Sequence, residues 1–189
     1  MKKLYLYTAF LSFGFSFYSC AQQKNVQNEK SIQNKIVVEN GKNILIGEFN
    51  RKALEEIDFE KWFDEEYNSY EIEQNKLTGI ENLKNYTIEI FLGTWCPDSR
   101  REIPRLLKIL DQEKFPASQL HLIAVNHKKK SNNGEEVGKN VSHVPTIIVY
   151  DKNKKEVGRI VESPVSAYLE EDLAQIVKGT PLKPNYSND

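Results

Sequence analysis

The residues best suited to chemistry are gathered in Trp95-Cys96-Pro97-Asp98-Ser99, a short polar loop that holds one of the two cysteines of the 189-residue chain. A cysteine reacts as its thiolate, and a place at a helix N-terminus favours that anion by about 1 kcal/mol. Arg100 and Arg101 add positive potential nearby, while Asp98 opposes it if its carboxylate faces inward. Ser99 has two readings of equal standing. Its hydroxyl can reach the Cys96 sulfur across one helical turn, or Ser99 and Glu102 can form the S-x-x-E spacing of a capping box. The plain alternative for Cys96 is a small buried hydrophobe, although such cysteines rarely follow a tryptophan in a polar loop. His143, two residues before Pro145, can approach the sulfur as proton donor or thiolate partner, against the ordinary fate of a solvated loop histidine. His121 and His127 read as structural or exposed. No pair of Cys or His has ligand spacing, so neither a metal nor another cofactor is expected.

These residues resemble the thioredoxin family. Gly93 to Ser99 lies between a strand and a helix as the thioredoxin redox loop does, and Trp95 directly precedes Cys96. Pro104 stands eight residues after Cys96, where thioredoxins carry a helix-kinking proline, and Val144-Pro145-Thr146 matches their cis-proline segment. The resemblance extends over residues 86–178. It implies a thioredoxin fold, an α/β architecture with a central mixed sheet flanked by helices, preceded here by an N-terminal strand and helix extension. It also implies that Cys96 and Ser99 form the reactive pair, with Trp95, Pro97, Val144, Pro145 and Thr146 around the substrate. A cis bond before Pro145 would leave the adjoining backbone free to pair with an extended peptide, as thioredoxins hold theirs.

Two departures narrow the chemistry. Where a dithiol thioredoxin has its second cysteine this chain has Ser99, and where thioredoxins bury an acid, six residues before Cys96, it has Ile90. No internal thiol can then resolve a mixed disulfide on Cys96. Exchange remains open by a monothiol route in which an outside thiol completes the cycle. The expected partners are protein or small-molecule thiols and disulfides. Two other classes stay in view: a redox-silent binding module that uses the groove beside Pro145, and a thiol peroxidase, disfavoured because no Pro-x-x-x-Thr-x-x-Cys framework surrounds Cys96.

The elements that must position this loop follow from periodicity. Ile36-Val37-Val38 and Ile44 to Gly47 read as short strands joined by an Asn40-Gly41 turn. Phe59, Trp62, Phe63, Tyr67 and Tyr70 share one helical face, read as core rather than as a binding stripe. Thr87 to Leu92 and Leu120 to Val125 are apolar strands flanking a helix with Ile103, Leu106, Leu107 and Leu110 at helical spacing. Thr146 to Tyr150 and Glu156 to Val161 form a hairpin, and Ser163-Pro164 is expected to open a final helix carrying Leu169, Leu173, Ile176 and Val177. Helices are expected on both faces of the sheet. Between Lys128 and His143 a solvated loop is expected, or a short helix through Glu135 to Asn140.

Composition bounds the rest. With 39% hydrophobic and 28% charged residues the chain predicts one ordinary folded domain. Lys+Arg 26 against Asp+Glu 27 leaves no basic field for nucleic acid. Lys2 and Lys3 precede an uncharged apolar run, Leu4 to Tyr18, that has the anatomy of a signal peptide and is short for a membrane span, which needs about twenty residues. Phe17-Tyr18-Ser19-Cys20 resembles a bacterial lipobox, which implies that Cys20 is lipidated, anchors the mature chain to a membrane and forms no disulfide. The expected organisation is a signal peptide over residues 1–19, a lipidated N-terminus and Gln/Asn-rich tether over 20–34, an N-terminal extension over 35–85, the thioredoxin-like core over 86–178 and a frayed tail over 179–189. The expected location is the periplasmic side of the cell envelope. Ala21-Gln22 lacks the Asp that would favour the inner membrane, which points to the outer one.

Overall fold

Strand-forming residues around a tight turn build the first element. Ile36–Glu39 (β1) and Lys42–Leu45 (β2) pair antiparallel, and the turn places Asn40 at φ 52 and Gly41 at φ 73, a left-handed conformation that these two residue types tolerate best. The computed structural model describes residue 32 and residues 34–187. The leader, Cys20 and nearly all of the tether lie outside the described residues. Where one strand was expected through Gly47, β2 ends at Leu45. Gly47, at φ 80, turns the chain so that Gly47–Phe49 (β3) leaves the hairpin and joins the main sheet.

That sheet is five-stranded and mixed. Thr87–Leu92 (β4), Leu120–Ala124 (β5), Thr146–Tyr150 (β6) and Glu156–Val161 (β7) complete it in the order β3-β5-β4-β6-β7. β4 and β5 run parallel, and every other neighbour is antiparallel. Glu60–Ser69 (α1), Pro97–Gln112 (α2) and Leu169–Val177 (α3) flank it.

Alternation along the strands sorts side chains into two cores. Ile88, Ile90 and Leu92 join the larger one with Phe59 and Phe63 at α1, Ile103, Leu106, Leu107 and Leu110 of α2, and Leu169, Leu173 and Ile176 of α3. Each such side chain, fully buried, contributes roughly 1.5–3 kcal/mol, so the aromatic face of α1 belongs to the core. Phe91, Ile123 and Ile148 turn to the other face, in a smaller cluster with Cys96, Val125 and Val144, and Trp95, Val141 and Tyr150 pack against it. Helices on both faces were expected. All three instead contribute to the first face, and the segment 126–145, a series of turns and bends without the allowed short helix, supplies Val141 and Val144 to the second.

The C-terminal region corrects two further expectations. α3 starts at Leu169 and not at Ser163-Pro164, because the buried Asp172 carboxylate accepts the N–H groups of Val165 and Ser166 at 2.7 and 3.0 Å and holds that stretch as a loop. Ala167, at φ 74, marks its turn. The tail is anchored rather than frayed as far as residue 187: Asn185 Nδ2 donates to the carbonyls of Val161 and Ser163 at 3.1 and 3.0 Å.

Candidate thiol site

Cys96 closes the loop that follows β4 and is the N-cap of α2, with Pro97 taking the first helical position, where a missing N–H costs nothing. The cysteine is 7% exposed and is the free thiol among the described residues. Its Sγ–H donates to the Val144 carbonyl at 3.1 Å, across 48 positions of sequence, and the Val144–Pro145 bond is cis. The fold thus brings together the two segments that sequence reading paired. Val144 N–H has no hydrogen-bond partner among the described residues. Thr146, fully enclosed, spends its hydroxyl on the His143 carbonyl at 2.7 Å, and Pro97 is exposed at the helix tip.

Ser99 does neither of the things proposed for it. It is 0% exposed, and its Oγ accepts the Gly93 N–H at 3.1 Å, tying the start of the loop to the first turn of α2. The capping box fails because Cys96, three residues earlier, is the N-cap, and because the Glu102 carboxylate binds Arg101 Nε at 2.7 Å. Burial raises the Glu102 carboxyl above its ordinary range, although Arg101 and Arg105 pull it back. No hydrogen bond joins Ser99 to Cys96 among the described residues. The charges near the loop are also engaged. Asp98 pairs with Arg101 at 2.7 Å, and Arg100 Nε donates to the Thr94 carbonyl at 2.6 Å while its guanidinium lies over Trp62.

Trp95 borders the sulfur's cluster. Its Nε1 donates to the Val125 carbonyl at 2.9 Å, and its ring stacks on His127 at 4.1 Å with an interplanar angle of 20°. His127 Nδ1 in turn lies 2.8 Å from Glu39 Oε2, and that bond holds the Glu39 carboxyl below its ordinary range. His127 was read only as structural or exposed. A signal for it existed: it sits just past the C-terminal end of a strand parallel to β4, where α/β sheets place their sites. His143 faces elsewhere, with Nδ1 3.0 Å from Ser142 Oγ and its ring stacked on Tyr186 at 3.8 Å. No contact joins it to the sulfur, so the structure gives no support to an acid or base role. Ile90 is sealed in the larger core, and neighbouring Glu89, with its side chain toward the opposite face, is bound by Lys139 at 2.7 Å and Tyr150 at 2.9 Å. No three His, Cys, Asp or Glu side chains gather as a metal site among the described residues, and no described helix is long and apolar enough to cross a membrane.

A mixed sheet whose β4 leads into a cysteine-capped helix, with a cis-proline before β6 facing that cysteine, defines the thioredoxin-like class. The chain belongs to the thioredoxin family, whose sequence model matches residues 48–172. Among solved structures, a protein of unknown function from Pseudomonas aeruginosa aligns at 14% identity over 62% of this chain and 78% of its own, with a TM-score of 0.44. An HIV epitope-scaffold aligns at 16% identity over 62% and 77%, with a TM-score of 0.39. No curated protein matches.

Proposed function

We propose that this thioredoxin-like protein exchanges thiols and disulfides through Cys96 alone. The observation that carries the reading is the Cys96 sulfur on the Val144 carbonyl, next to the cis-proline, with a buried Ser99 hydroxyl engaged by Gly93 where a second thiol would stand. The Cys96 thiolate attacks one sulfur of a disulfide, that S–S bond breaks, and the other sulfur leaves as a thiolate that takes a proton from water. An outside thiolate then attacks the adduct, frees Cys96 and carries off the bound half as a new disulfide. Protein and small-molecule disulfides are the proposed partners. The leader ending at Ser19-Cys20 supports a lipid anchor on Cys20, with the domain on the periplasmic side of the outer membrane.

The full chain carrying Cys20→Ser, incubated with a small oxidised thiol, should gain one mixed disulfide, read by intact mass, and adding Cys96→Ala should abolish it. Ser99→Cys supplies the missing attacking thiol and should raise insulin reduction. The low exposure of Cys96 favours a second reading, a redox-silent module that binds partners at the Pro145 groove. If Cys96 reacts no faster than a cysteine in a free peptide and Ser99→Cys gains nothing, that second reading replaces the first.

A further inference from the structure

One wall of the thiol site is set from outside its own loop. The Trp95 indole is confined on several sides. Its Nε1 is bound to the Val125 carbonyl at 2.9 Å, its ring lies on the His127 imidazole at 4.1 Å, and a Cβ added at Gly93 would meet its Cε2 at 2.6 Å. His127 is held twice by one carboxylate: Glu39 Oε2 takes its Nδ1 at 2.8 Å and its backbone N–H at 3.3 Å. Glu39 is the last residue of β1, in a hairpin that is no part of the five-stranded sheet. Lys129, from the same turn as His127, lies 5.6 Å from the indole centroid. The grip therefore runs from hairpin to imidazole to indole, and Trp95 packs against the same small cluster as Cys96.

We propose that Glu39 and His127 are positioning residues that fix the Trp95 indole as a wall beside Cys96, and that this wall selects a disulfide carried on an extended polypeptide over a small diffusing one. The inference rests on the exchange reading above. A small disulfide needs only an open path to the sulfur of Cys96, a residue that is 7% exposed, and a locked indole narrows that path. A polypeptide gains from the same indole, because it can lay an apolar side chain on a surface already held in place and pair its backbone with the unpartnered Val144 N–H. The bonds made and broken are those of the exchange step, with the substrate's second sulfur as leaving group.

The test uses the full chain carrying Cys20→Ser, so that adducts report Cys96, and Trp62→Phe, so that emission reports Trp95; the Trp62 Nε1 it removes makes no hydrogen bond. Rates of adduct formation at Cys96 are measured with hydroxyethyl disulfide and with an extended peptide whose cysteine is capped as the same hydroxyethyl disulfide. In Glu39→Gln and in His127→Ala the small disulfide should react about three- to tenfold faster and the peptide slower by a similar factor, the range one stacked ring pair supplies. Trp95 emission should shift to the red. His127→Phe keeps a stacked ring without needing the carboxylate, so it should restore both rates, and Glu39→Gln should then have no effect. Rates that move in the same direction indicate a loosened fold and overturn the proposal, as do rates that do not move. An unaltered Cys96 that reacts with neither disulfide overturns the exchange reading itself.

Discussion

Ser99→Ala tests whether the serine in the reactive loop is a piece of architecture. The side chain is 0% exposed, and its Oγ is the acceptor for the Gly93 N–H at 3.1 Å. Gly93 is itself buried, so water cannot replace the lost acceptor. Leaving a buried backbone donor unpaired costs about 1–3 kcal/mol, and the better helix propensity of alanine inside α2 returns about 0.5 kcal/mol. The net loss is then about 0.5–2.5 kcal/mol, or roughly 1–10 °C in melting temperature for a domain of this size. Urea unfolding followed by circular dichroism should show a lower midpoint with an unchanged slope, since the denatured chain is hardly altered. Adduct formation at Cys96 should survive, because no hydrogen bond from Ser99 reaches the sulfur. A variant as stable as the parent, or one that keeps its stability while adduct formation collapses, would refute the structural assignment and restore the hydroxyl to the sulfur.

Two further outcomes follow from other parts of the molecule. Gly158→Ala places a Cβ 2.7 Å from Ile176 Cγ1 and 3.1 Å from Pro181 Cβ, so β7 and α3 must separate, and thermal unfolding should show a loss of about 1–3 kcal/mol. Burial pushes the Glu135 carboxyl up, but hydrogen bonds from Ser131, from the Asn133 side chain and from the backbone outweigh it and bring the group from 4.5 to about 2. The stabilisation this gives is complete above the unfolded value of 4.5 and fades as pH falls toward about 2. Glu135→Gln should remove that part of the acid dependence in unfolding measurements, and a pH profile unchanged in this window would contradict it.

The central strands were legible because burial leaves little choice of residue: Thr87–Leu92 reads as an apolar run and is a strand over the same residues. What could not be read depends on partners distant in sequence. β3 is only three residues long and is created by its pairing with β5, while Gly47 reads locally as the end of the hairpin. Ser163-Pro164 carries a helix-start pattern, but the Asp172 carboxylate takes the backbone donors of Val165 and Ser166 for a loop. At the site, Cys96 and Val144-Pro145 could be paired through their likeness to thioredoxins. The Glu39–His127–Trp95 chain could not, because it joins three segments that only the folded chain brings together.

The hydrogen bond between Cys96 and Val144 links two events on the proposed exchange route. In the thiol state, Sγ–H donates to one lone pair of the Val144 carbonyl, and the Val144 N–H has no hydrogen-bond partner among the described residues. Loss of the proton removes the donor. The Val144 carbonyl then has no donor among the described residues and gains most from a peptide N–H, and the sulfur, left as an anion, sits at the N-terminus of α2, where no side chain caps the helix. An extended substrate that reaches Val144 can then pair with both of its backbone groups, as an added strand does. Deprotonation that makes Cys96 a nucleophile therefore also leaves the Val144 carbonyl short of a donor that a peptide N–H can supply. This favours a substrate held as a strand over one that meets the sulfur alone, and it reaches that preference from the backbone rather than from the Trp95 wall.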